Sequence, residues 1–322
     1  MKRRQFIDAT AKSSLAVAFL GVLACKEQPQ TKNTSEEILS EIETNTELFF
    51  KISLAQWSFH RALKAGEMDN LDFAKNAKAL GCEGLEYVNQ FFADKAKDTA
   101  YLSEMNKRAA NEGVANVLIM IDGEGMLADT DVKKRIEAIE NHYKWVEAAK
   151  FLGCHAIRVN LAGGTQMDEA AKAGVDSLSK LSEFAKQENI NILVENHGGF
   201  SSNGLWLANV MKDINIDNCG TLPDFGNFCV EYGENHSCKT QYDRYKGMQE
   251  MLPFAKAISA KSHDFDANGN ETHTDYLKMM KMVKEAGYKG FVGIEYEGNV
   301  LSENEGIAKT RDLLIKVGNQ LS

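Results

Sequence analysis

Two periods alternate along most of this chain. Short runs such as Ile190-Asn191-Ile192-Leu193-Val194-Glu195 and Phe291-Val292-Gly293-Ile294-Glu295-Tyr296 place branched or bulky apolar residues at every second position, as a strand with two different faces requires. Between them lie longer stretches with apolar residues three and four apart, the spacing of one helix face. One joint recurs at Ala77-Lys78-Ala79-Leu80-Gly81, Ala149-Lys150-Phe151-Leu152-Gly153 and Val283-Lys284-Glu285-Ala286-Gly287. Each reads as a helix stopped by glycine, with a β-rich run a few residues later. Strands are expected near 52–57, 84–88, 114–121, 155–160, 190–195, 219–224, 258–263 and 291–296. Helices are expected near 70–80, 95–112, 130–152, 168–188, 203–213, 239–255, 274–286 and 303–317. Eight strand–helix units imply a parallel sheet closed on itself, an α/β (β/α)₈ TIM barrel in a single domain. No glycine-rich phosphate loop follows the first strand, as an open dinucleotide-binding sheet would need.

The barrel pattern starts near residue 47, and what precedes it is of another kind. Lys2, Arg3 and Arg4 lead into an apolar stretch at 15–24 and then Cys25, the layout of an export signal too short to span about 30 Å of hydrocarbon as a mature helix. Val22-Leu23-Ala24-Cys25 resembles a bacterial lipobox, and Arg3-Arg4-Gln5-Phe6-Ile7 resembles a twin-arginine signal. The expectation is an exported, periplasmic or cell-envelope lipoprotein anchored through Cys25, with 1–25 as signal, 26–46 as polar tether and 47–322 as the catalytic barrel. The lipid is then its only tie to a membrane.

With 43% hydrophobic and 26% charged residues the chain has material for a large core. Its formal net charge is −9, and beyond the extreme N-terminus no Lys/Arg run tracks a phosphate backbone, which argues against nucleic acid as a partner. A small polar molecule fits better; the oligomeric state is left open. With Cys25 lipidated, five cysteines remain; Cys82 and Cys154 read as small buried thiols, and Cys229 and Cys238 are spaced to close a loop in an oxidising compartment.

In a barrel of this kind the chemistry sits at the C-terminal ends of the strands. On the fifth strand Ile190, Ile192 and Val194 take the helix side, which turns Glu195 inward. The same parity on the eighth turns Glu295 and Glu297 inward, the sixth ends in Asp224, and the seventh puts Lys261 and His263 on a common face. Glu195, Asp224, His263 and Glu295 therefore meet around one half of the mouth. Three carboxylates cannot all ionise side by side without a cation, and oxygen donors with one imidazole suit Mn²⁺, Mg²⁺ or Co²⁺, with Fe²⁺ or Zn²⁺ as alternates. His197, Lys261, Arg158, Glu86, Asn227 and Trp57 are candidate substrate contacts. Phe92 joins Trp57 as a stacking wall, and an internal Arg158–Glu86 ion pair is the structural alternative for those two residues.

These motifs carry a family resemblance. Leu193-Val194-Glu195-Asn196-His197-Gly198-Gly199, Pro223-Asp224-Phe225-Gly226-Asn227, Lys261-Ser262-His263-Asp264 and Gly293-Ile294-Glu295-Tyr296-Glu297-Gly298 resemble the xylose isomerase-like TIM-barrel superfamily over about residues 50–320. The resemblance implies one divalent metal on Glu195, Asp224, His263 and Glu295, with Glu195 and Glu295 as acid and base on opposite faces of a sugar carbon. Many relatives have His-x-Lys-Asp or His-x-His on the seventh strand, so Lys261 is a second claimant to the ligand place filled here by His263. Where sugar epimerases of the family often have His three positions after the metal Asp, this chain has Asn227.

The expected function is a divalent-metal-dependent isomerase or epimerase that abstracts a proton next to the carbonyl of a sugar or keto-sugar. The alternatives are a metal-dependent dehydratase or lyase on a keto-sugar or keto-glycoside and a non-catalytic carbohydrate-binding lipoprotein. A metal-dependent phosphodiesterase is disfavoured by the acidic balance.

Overall fold

The computed structural model describes residues 47–322; the signal, lipobox and tether assignments lie outside them. The eight expected barrel strands form as β1 (Lys51–Ala55), β2 (Gly84–Val88), β3 (Ala115–Met120), β4 (Ala156–Asn160), β5 (Asn191–Glu195), β6 (Cys219–Leu222), β9 (Ile258–Ser262) and β10 (Phe291–Tyr296). All pair in parallel, in the order β6-β5-β4-β3-β2-β1-β10-β9. Closure between β6 and β9 rests on two isolated bridges, Thr221 with Ala255 and Asp224 with Ser259. Pro223 lacks an N–H but accepts from Ser259 N, and Phe225 N donates to the Ser259 carbonyl, so the seam of the barrel runs beside Asp224.

The helices are α1 (His60–Ala65), α2 (Phe73–Ala79), α3 (Thr99–Glu112), α4 (Val132–Leu152), α5 (Met167–Gln187), α6 (Gly204–Ile214), α7 (Arg244–Met251), α8 (Tyr276–Glu285) and α9 (Glu303–Leu321). Most start at a polar cap: Asp98, Asp131, Asn203, Asp243 and Asp275 each accept a backbone N–H of the first turn, and Ser302 with Glu305 completes a capping box. Each such cap is worth roughly 1 kcal/mol. The recurring glycine joint does what its spacing implies: Gly153 closes α4 at φ 76°, a left-handed conformation other residues adopt at a cost.

The expected helix at 239–255 is shorter than its pattern. Cys229–Tyr232 (β7) and Cys238–Gln241 (β8) form an antiparallel hairpin joined by the Cys229–Cys238 disulfide, and helix begins only at Arg244. Lys239-Thr240-Gln241 offers no apolar face for a helix to bury, whereas the disulfide ties the two short strands directly. Among the described residues no helix is long and apolar enough to cross a membrane.

Two cores follow from strand parity. Ile192, Val194, Val292 and Ile294 join the large outer core under the helices. Ala55, Val88, Leu118, Met120, Leu193 and Leu222 form a small inner one. The inner faces that carry these residues carry polar groups further along, which is how the barrel delivers chemistry to its mouth.

Candidate metal and substrate site

Glu195 ends β5, Asp224 lies two residues beyond β6, and Glu295 is the penultimate residue of β10. Each offers a carboxylate oxygen within 4.8 Å of the others, and all three are buried, at 1%, 0% and 4% exposure. Asp224 Oδ1 accepts from the N–H groups of Gly226 and Asn227, both at 2.8 Å, and Asn227 Nδ2 donates to Glu195 Oε1 at 3.1 Å. The buried Asn196 ties the ends of β5 and β6 together, accepting from Asp224 N and donating to the Asp224 and Asn227 carbonyls. From β9, Ser259 Oγ lies 2.6 Å from Asp224 Oδ2 and 2.9 Å from Glu295 Oε2. A hydroxyl has one proton to give, so it satisfies one of these acceptors at a time.

Burial pushes the Glu195 and Asp224 carboxyls up, and the neighbouring Glu295 adds to the push; Arg158 pulls Glu195 back most and Lys261 pulls Asp224. The cluster is short of positive charge. Glu195 Oε2 is buried without an aligned hydrogen bond, although Arg158 Nε lies 2.9 Å away as an ion-pair partner. Converging buried carboxylate oxygens with unused lone pairs are what a hard divalent cation binds, so Glu195, Asp224 and Glu295 can hold a metal.

His263 is not part of this cluster, which corrects the four-ligand expectation. The β9 ladder pairs Lys261 with Glu295 and ends at Ser262; His263 has already left the strand, its ring against His273 at 5.5 Å and its N–H on Glu271. The inward place on the seventh barrel strand belongs to Lys261. Its ammonium lies 3.2 Å from Glu297 Oε2 and 3.7 Å from Glu295 Oε1. Burial works against that charge, yet Glu295, Asp224, Glu297 and Glu195 together hold it protonated well above the ordinary lysine range. Its stem crosses Gly226, where a Cβ would lie 2.9 Å from Lys261 Cδ, so a side chain at 226 would compete with the lysine for space.

On the opposite half of the mouth an acid, a guanidinium and an amide are paired. Arg158 pairs with Asp122 at 2.8 Å and with Glu195, and Asn160 Nδ2 donates to the same Asp122 oxygen. Burial opposes ionisation of Asp122, but Arg158 holds its carboxyl well below the usual range. The alternative Arg158–Glu86 pair does not form. Glu86 accepts from Ser53 Oγ, is fully closed off from solvent, and sits where a Cβ on Gly293 would be, at 2.4 Å. It lies inside the barrel, out of reach as a substrate contact. Burial pushes its carboxyl up to about 8, with Glu295 and Glu195 adding to the effect.

Trp57 is at the rim, donating to Glu297 Oε1 at 2.5 Å and lying 6.1 Å from Phe91. Phe91, not Phe92, shares that wall: the turn after β2 sends Phe92 into the outer core against Tyr87 and Trp145. His197 is exposed beside the cluster. The Tyr232 hydroxyl from the hairpin occupies the space beside Gly198, 2.6 Å from where a Cβ would stand. Sequence reasoning missed Asp122, Asn196 and Ser259. Asp122 is the residue immediately beyond the third expected strand, and Ser259 has the inward parity of Lys261, so both signals were present; the Asn196 staple depends on loop geometry.

A family model for the xylose isomerase-like TIM barrel matches residues 74–317. The chain belongs to that family. Among solved structures it is similar to a D-psicose 3-epimerase with D-tagatose from Clostridium cellulolyticum H10, at 12% identity and TM-score 0.64, covering 84% of this chain and 99% of that one. It is also similar to the apo form of a 3-keto-D-glucoside 4-epimerase from E. coli, at 13% identity and TM-score 0.63, covering 83% and 99%. A third is a xylose isomerase-like barrel from Mycobacterium smegmatis in complex with magnesium, at 15% identity and TM-score 0.61, covering 85% and 98%. At these identities the likeness is one of fold. No curated protein matches the sequence.

Proposed function

We propose that this protein is a divalent-metal-dependent isomerase or epimerase of a sugar or keto-sugar. The observation that carries the reading is the trio Glu195, Asp224 and Glu295, three buried carboxylates brought within 4.8 Å at the mouth of an isomerase-family barrel. Held by these residues, a Mn²⁺, Mg²⁺ or Co²⁺ ion would polarise a substrate carbonyl and acidify the adjacent C–H. Glu195 and Glu295, on β5 and β10, take and return the proton. Trp57 and Phe91 provide an aromatic wall at the rim for a sugar ring to lie against. The epimerases among the structural neighbours, named for keto-sugars and a keto-glucoside, support the choice of substrate class.

The N-terminal pattern supports export as part of the same proposal, and the Cys229–Cys238 disulfide agrees with an oxidising compartment. An exported enzyme meets free sugars and glycosides rather than sugar phosphates. The test is isotope wash-in: with Mn²⁺ in D₂O, and with D-tagatose, D-fructose and 3-keto-D-glucosides as probes, wild type places deuterium next to the carbonyl. A chain that takes up metal yet exchanges no proton in any probe would overturn the isomerase reading and leave the metal site standing.

A further inference from the structure

The seventh barrel strand sends two side chains inward at the level of the carboxylates, Ser259 and Lys261, and neither brings a ring nitrogen. Among the described residues the trio is the only group of three or more acidic, histidine or cysteine side chains close enough to share an ion, and all its donors are oxygen. The histidine next along, His263, lies beyond the strand with its ring against His273. An ammonium has three N–H donors and no lone pair, so Lys261 cannot ligate; it adds a positive charge 3.7 Å from a ligand oxygen.

We propose that Lys261, by filling the inward place where a ring nitrogen could ligate, leaves an all-oxygen cradle that binds dications weakly and with a lower Zn²⁺ to Mn²⁺ affinity ratio than the same site with histidine at 261. The inference rests on the trio being a metal site. Imidazole nitrogen favours the softer, later ions, while carboxylate oxygen suits the hard ones, so removing nitrogen from the donor set lowers the Zn²⁺ to Mn²⁺ affinity ratio. The adjacent ammonium weakens all dications alike through repulsion. Gly226 and Glu297 mark the lysine as built in: one leaves room for its stem, and the other accepts from its tip while Trp57 holds the second Glu297 oxygen.

The experiment is ion binding by the purified chain, with free Mn²⁺ counted by electron paramagnetic resonance and Zn²⁺ measured by competition with a chromophoric chelator. Lys261→Met should tighten both ions by a similar factor, about tenfold, because only repulsion is removed. Lys261→His should raise the Zn²⁺ to Mn²⁺ ratio by about tenfold or more. Circular dichroism checks the fold, and either variant alone tests the idea. A Lys261→Met chain that binds Mn²⁺ more weakly than wild type, or a Lys261→His chain with an unchanged ratio, overturns the role of Lys261 and leaves the metal reading standing. Folded wild type and variants that all ignore millimolar Mn²⁺ and Zn²⁺ overturn the metal reading, and this inference with it.

Discussion

The two halves of the barrel mouth use the same kinds of residue to opposite ends. On the β2–β4 side the Arg158 guanidinium meets the Asp122 carboxylate, and Asn160 donates to the same oxygen, so one acid there has a cation and an amide of its own. On the β5, β6 and β10 side three carboxylates converge with Arg158 and Lys261 at the edges, and one buried Glu195 oxygen lacks an aligned donor. Burial sharpens the contrast, since the three carboxylates are at most 4% exposed whereas Asp122 and Asn160 are only half-buried. What distinguishes a binding centre from a support is the balance left over once the internal partners are counted.

The sharpest way to break this comparison is on the unbalanced side. Glu295→Gln should lower the deuterium wash-in rate by about 10²- to 10⁴-fold, because it removes both a proton acceptor and a third of the metal cradle. Wild-type exchange in that variant would remove Glu295 from the chemistry. On the paired side the expected damage is to the fold: Arg158→Met takes the cation from the half-buried Asp122 and the buried Glu195, leaving them only amide donors, at a cost of about 3 kcal/mol in urea unfolding. A smaller effect would show that water or protons replace the guanidinium at little cost.

Asn196→Ala tests the staple between the two halves of the cradle. It removes the acceptor for Asp224 N and two donations to buried carbonyls, so about 2 kcal/mol of stability should go, together with a measurable loss of Mn²⁺ affinity. The gentlest effect concerns Glu86. Its folded carboxyl is raised from 4.5 to about 8, so the unfolded chain gives up this proton first; its contribution is full below about pH 4.5 and is lost as pH rises toward 8. In chelator, the melting temperature of Glu86→Gln should therefore fall less than that of wild type between pH 5 and 8. Parallel curves would show that another group governs the slope.

The division between legible and hidden features follows from the range of the forces. Strand parity is local, so the inward direction of Glu195 and Glu295 could be read from Ile192, Val194, Val292 and Ile294 alone, and the eight-strand barrel from the repeated glycine joint. The last residue of β9 is set by where the ladder to β10 stops, a tertiary fact, and so His263 was expected one inward position too far along. The β7–β8 hairpin was hidden for a related reason: a disulfide and the pairing of Cys229 with Gln241 shape a segment whose own periodicity says little. Phe91 takes the place expected of Phe92 because the turn after β2 abandons the strand period.

The seam where the barrel closes gives the cradle one more property. Between β6 and β9 only two backbone bridges complete the ring, and one of them joins Asp224 to Ser259, two of the groups that meet at the carboxylates. Parting these chains would dismantle the cradle before it disturbed the other strands. A ligand seated on Asp224 and Glu295 thus spans the least-fastened joint of the cylinder, and slower amide exchange at Phe225 and Ser259 would report its arrival.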